Sequence, residues 1–100
     1  MVCEGDVIFY PPKDLKWSDI NSFEYISKNL KSYDSALTYI GNKIDVITYD
    51  IGSGLFVYKT YSYTGNNVTM IVLSGDIPDG IDTIKNLTYT GNKLTSTSYS

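Results

Sequence analysis

Arginine, histidine and glutamine are absent from this 100-residue sequence, and cysteine occurs once, at Cys3. Each absence removes a class of chemistry. Without His, the commonest general base and zinc ligand is gone. Without Arg there is no bidentate reader of phosphate or guanine. All the basic residues are therefore Lys, and the formal net charge is −3. An acidic, Arg-free chain has no electrostatic footprint for nucleic acid, and an anionic membrane surface is disfavoured for the same reason. A lone Cys forms no internal disulfide and no thiolate cluster. Cys3 is read as a small apolar packing group, the alternative being a bridge to another chain. No basic segment followed by an apolar run opens the sequence, and no apolar stretch is long enough for a membrane-spanning helix. The expectation is an intact small protein made in a cytosol.

What is present is a repeat. Leu37-Thr38-Tyr39-Ile40-Gly41-Asn42-Lys43-Ile44 returns as Tyr61-Ser62-Tyr63-Thr64-Gly65-Asn66-Asn67-Val68 and again as Leu87-Thr88-Tyr89-Thr90-Gly91-Asn92-Lys93-Leu94. A spacing of this length marks an array of one small structural unit. Gly supplies the positive φ of a tight hairpin and Asn is the next most tolerant residue there, so Gly41-Asn42, Gly65-Asn66 and Gly91-Asn92 are read as turns. That register sets Tyr39 opposite Ile44, Tyr63 opposite Val68 and Tyr89 opposite Leu94, aromatic–aliphatic pairs that stabilise a sheet. The following strands step by three, as in Ile44, Ile47 and Tyr49. Either a bulge restores one buried face or the strand is buried on both.

The fold expected is mainly β. It is an antiparallel meander of about six strands at 36–40, 43–50, 55–64, 67–74, 83–90 and 93–99, paired in sequence because the links are short. Whether it closes into a barrel or stays an open sheet is left open. Residues 1–16 form an arm, with Val7 to Tyr10 as a short strand and Pro11-Pro12 as a break. A single β domain covers 17–100. It comprises a helix over 17–31, capped at Ser18 or Asp19 with Trp17, Ile20, Phe23, Ile26 and Leu30 as its apolar stripe, and hairpin repeats at 35–58, 59–82 and 83–100.

Candidate chemistry is thin. Asp76, Asp79 and Asp82 are read as Asx-type turn residues in preference to a calcium loop. Asp6, Asp14, Asp19 and Glu24 are not placed together by any pattern, and Cys3 has no His to activate it. No catalytic, metal or cofactor residue is assigned, and the chain is read as a non-enzyme. Exposed Tyr rows bind sugars, but Tyr39, Tyr63 and Tyr89 face aliphatic residues and are read as packing elements.

The Tyr-Thr-Gly-Asn-x-aliphatic-Thr repeat resembles small virion and tail-fibre-associated proteins of tailed bacteriophages. The stretches Phe23-Glu24-Tyr25-Ile26-Ser27-Lys28-Asn29-Leu30 and Leu94-Thr95-Ser96-Thr97-Ser98-Tyr99-Ser100 add to the likeness. More distantly, Tyr49-Asp50 is similar to the Tyr-Asp repeats of bacterial surface proteins. The first resemblance implies a structural part of a phage particle: a neck, tail, fibre-adaptor or head-decoration protein. It would be made in the host cytoplasm and located in the virion, with other virion proteins and copies of itself as partners. The alternative expectation is a carbohydrate- or receptor-binding β module that uses exposed Tyr residues.

Overall fold

A computed structural model of the protein describes residues 20–100. The expected arm at 1–16, and Trp17, Ser18 and Asp19 at the head of the expected helix, lie outside the described residues.

The helix α1 spans Ser22–Leu30. Its N-cap is Asn21, in extended conformation, whose Oδ1 accepts the Glu24 backbone N–H at 3.1 Å. This corrects the expected cap at Ser18 or Asp19. Asn-x-x-Glu is a stronger local start signal, with an oxygen acceptor at the cap and an acid three positions on, where the helix dipole favours it. The last turn tightens as Lys31, Ser32 and Tyr33 donate to the carbonyls of Lys28, Asn29 and Leu30, three-residue bonds that satisfy otherwise orphaned acceptors. Phe23, Ile26 and Leu30 fall on one face and are all buried.

Six strands follow: β1 Asp34–Ile40, β2 Lys43–Gly52, β3 Leu55–Thr64, β4 Asn67–Gly75, β5 Ile84–Thr90 and β6 Lys93–Tyr99. They form one antiparallel sheet in the order β1-β2-β3-β4-β5-β6, an open meander. Ile40 pairs with Lys43, Thr64 with Asn67 and Thr90 with Lys93, leaving two-residue Gly-Asn loops. Gly41, Gly65 and Gly91 have φ of 61°, 62° and 62°, while the Asn residues keep negative φ. That is the II′ arrangement, with Gly at the first central position, whose twist matches the flanking strands.

The bulge recurs in every hairpin. Thr38 faces Val46 and Tyr39 faces Ile44, so Asp45 is the extra residue. Thr69 and Thr95 are extra in the same way. The Thr69 and Thr95 hydroxyls donate to the Ser62 and Thr88 carbonyls at 3.5 and 3.1 Å, bonding across the interrupted ladder. Asp45 has no hydroxyl, and in that hairpin Thr38 Oγ1 donates to the Val46 carbonyl instead. One extra residue reverses the side-chain alternation, so the step of three becomes a single face.

That face carries the core. Phe23, Ile26 and Leu30 of α1 pack on Tyr49, Ile51, Val57 and Leu73, with Ile47, Leu55, Ile71 and Tyr99 against them. These sheet residues sit at the end away from the Gly-Asn turns. The helix therefore covers that end of the face, and the six repeat residues Tyr39, Ile44, Tyr63, Val68, Tyr89 and Leu94 lie outside the core. The opposite sheet face has no covering layer among the described residues. Thr38, Val46, Thr60, Val72 and Ile84 form a continuous cross-strand row on it.

Candidate functional site

Three places bring polar chemistry together. The first lies under the helix. Lys85 Nζ and Tyr99 Oη both donate to Glu24 Oε2, tying α1 to β5 and β6. Partial burial works against ionisation of Glu24, but the bonds from Lys85 and Tyr99 outweigh it and hold the carboxyl below its ordinary pKa. Burial likewise opposes charge on Lys85, and the Glu24 bond overcomes it, raising the ammonium pKa. Beside this pair, Lys59 is 7 % exposed. Its Nζ donates to Ser27 Oγ at 2.6 Å and stands 5.6 Å from the centre of the Tyr49 ring. Desolvation, and then the neighbouring positive charge of Lys31, lower its pKa against the weaker pull of Glu24. Burial also pushes up the Tyr49 and Tyr61 hydroxyls.

No local pattern joins Glu24 to its partners, which lie 61 and 75 positions away. Lys59 carried a readable signal: it occupies an inward position in the alternation Leu55, Val57, Lys59, Tyr61, Tyr63. The groups in this cluster are engaged with one another beneath the helix. Its chemistry is that of a clamp, with an ionised carboxylate holding two donors and a lysine capped by a hydroxyl and an aromatic face.

The second place is the row of hairpin tips. Lys43 Nζ donates to the Gly65 carbonyl at 2.5 Å, and Asn67 Nδ2 donates to the Gly91 carbonyl at 3.2 Å. Tyr63 Oη donates to the Ile44 carbonyl at 2.7 Å, with Lys43 Nζ 5.3 Å from its ring centre. The turn residues Gly41, Asn42, Gly65, Asn66, Gly91 and Asn92 are thus the ends of three hairpins fastened side by side. Between β4 and β5, where the ladder stops at Met70–Asn86, a cleft of about 330 Å³ opens beside Asn67, Thr69 and Tyr89.

The third place is at the other end of the sheet. A cleft of about 260 Å³ is lined by Asp34, Ser35, Ala36, Thr48, Asp50 and Phe56. Asp50 Oδ1 accepts the Gly52 N–H there, as a turn residue does. Of the acidic loop, Asp76 exchanges bonds with Phe56 through Oδ2 and its own N–H, each at 2.9 Å, and the Asp82 N–H is bound by Ser22 Oγ. Asp76 thus braces the loop through its side chain and Asp82 through its backbone, and the acids form no group placed for a metal among the described residues. Among the described residues no group of His, Cys, Asp or Glu is placed to hold a metal ion, and no helix is long and apolar enough to cross a membrane.

Comparison with protein-family models, curated proteins and solved structures finds no match for this chain.

Proposed function

We propose that this chain is a non-enzymatic structural component of a tailed-phage particle, acting by binding other particle proteins and copies of itself. The observation that supports this reading is the openness of the sheet. Among the described residues both outer strands lack a neighbour, and one face lacks a covering layer although Phe56, Tyr58 and Met70 are exposed on it. Such edges and faces are managed in proteins by pairing or covering. The particle itself is suggested by the likeness of the Tyr-Thr-Gly-Asn repeat to phage virion proteins. Mass spectrometry of purified particles tests the reading: the chain is expected there in several copies per particle. Its presence in infected cells together with absence from washed particles would refute the proposal.

A second reading, a glycan-binding module, is favoured by one observation: the cleft at β1–β3 combines Phe56 with Asp34 and Asp50, an aromatic platform beside two acceptors. Binding to a polysaccharide array that is lost in Phe56→Ala would select it.

A further inference from the structure

The hairpins are joined to one another by a single rule. Between the first and second, Val46, Ile47 and Thr48 face Thr60, Lys59 and Tyr58. Between the second and third, Met70, Ile71 and Val72 face Asn86, Lys85 and Ile84. Counted from the turn glycines, the two ladders have one register. The residue five after Gly41 or Gly65 faces the residue five before the next turn glycine. The tips obey the same rule, since Lys43 and Asn67 each stand two after a turn glycine and each donates to the next turn's Gly carbonyl.

The sheet therefore has an outgoing and an incoming side that fit each other. Among the described residues the outgoing side is used by β2 and β4 and is unused on β6, where Ser96 stands five after Gly91 and Lys93 two after it. Among the same residues the incoming side is used by β3 and β5 and is unused on β1, where Ala36 stands five before Gly41. Exposure follows this pattern. Tyr39 and Leu94, at the two unused sides, are 59 % and 46 % exposed, whereas their counterparts Tyr63, Tyr89, Ile44 and Val68 are half-buried. Among the described residues neither edge carries the usual protection. Seven residues long, each has no Pro and one charge, Asp34 in β1 and Lys93 in β6, although edges are commonly blunted by prolines and several charges.

We infer that β6 of one copy pairs antiparallel with β1 of a second copy, with Ser96 opposite Ala36 and the Lys93 ammonium on the second copy's Gly41 carbonyl. The choice of a second copy as occupant rests on the assembly reading above. The contact is heterologous, so successive copies close into a ring or extend into a filament. It deepens self-binding into a definite strand register, and it leaves the uncovered sheet face free for other proteins.

The test uses the full chain with Cys3→Ser. Sedimentation velocity across a concentration series is expected to show species above the monomer. Ser96→Cys protein mixed with Ala36→Cys protein is expected to form a disulfide-linked dimer under mild oxidation, because facing Cα atoms in an antiparallel pair lie within disulfide reach. Substituting Thr38→Cys for Ala36→Cys in the mixture should reduce the linkage many-fold. Lys93→Ala should weaken association by about tenfold, the loss of one charge-assisted hydrogen bond, while the thermal midpoint of the dilute monomer stays unchanged. A monomer at every concentration overturns the pairing. Linkage of Ala36→Cys only to itself overturns the head-to-tail register. Incorporation into particles without linkage sinks the pairing and keeps the assembly reading, and linkage without incorporation does the reverse.

Discussion

Gly75→Ala should be among the most damaging single-methyl changes in this chain, and the structure supplies its magnitude. Gly75 ends β4 with φ of 93°, and an added Cβ would lie 2.5 Å from the Phe56 carbonyl oxygen and 3.0 Å from Tyr58 Cδ2. Left-handed backbone costs an L-residue about 1–2 kcal/mol. The carbonyl cannot retreat freely, because Phe56 O accepts the Asp76 N–H at 2.9 Å and Phe56 N donates to Asp76 Oδ2. Forcing it aside costs about 1–3 kcal/mol as overpacking does. The lower entropy of the unfolded Ala chain enlarges stability by only about 0.4–1 kcal/mol. The net loss is about 1–4.6 kcal/mol, centred near 3, a large share of the roughly 5–15 kcal/mol of a domain this size. The control is Gly80→Ala, where φ is 77° and no atom lies within 4 Å of the new Cβ, so only the backbone penalty remains, about 0–1.6 kcal/mol after the entropy gain. Urea unfolding followed by circular dichroism measures both. Equal destabilisation of the two variants would show that the Phe56–Asp76 brace yields and would refute the reasoning.

Glu24→Gln should destabilise by about 0.5–1 kcal/mol at neutral pH, the scale of a partly solvent-screened ion pair. Because the folded pKa of Glu24 is lowered, its contribution is present above the ordinary carboxylate value and lost as pH falls through the folded one, so the wild-type and variant urea midpoints should converge in acid. Lys85 behaves oppositely: its raised pKa keeps its contribution intact below the ordinary lysine value, and the contribution is lost as pH rises through the folded pKa. Lys59→Met should leave stability unchanged or raise it by about 1 kcal/mol at neutral pH, since the buried ammonium carries a desolvation cost, and thermal melts at pH 7 and in alkali should show the gain shrinking as the wild-type amine loses its proton. Asn67→Ala should cost only about 0.5–1 kcal/mol, but amide hydrogen exchange should quicken at the β5–β6 turn and stay unchanged at the β1–β2 turn.

The hairpins were legible because their cause is local. A Gly with positive φ, an Asn after it and an aromatic before it fix a turn and a register within eight residues, and the step of three admits a bulge or a strand buried on both faces, between which the pairing across each hairpin decides. The start of the helix was misplaced because several capping residues stand in a row, and Asn21, with Glu24 three on, acts where Ser18 and Asp19 were expected. Strand ends moved for a non-local reason: β4 runs on to Gly75 because its neighbour Asp76 is bonded to Phe56 across the sheet. The roles of the repeat tyrosines were half legible. Their partners followed from the turn, yet their placement outside the core depends on which end of the sheet the helix covers.

The amino-acid sequence by itself determined three Gly-Asn hairpins, their aromatic–aliphatic pairs, a six-strand meander and a chemistry without His or Arg. These follow from backbone permissiveness, side-chain period and composition, which act over a few residues. Only the tertiary structure decided that the sheet formed by the described residues is open and that Glu24, Lys85 and Tyr99 meet. It also decided that a buried Lys59 lies under the helix and that one register joins each repeat to the next. Those are contacts across tens of residues, and packing free energy selects them after the local elements exist.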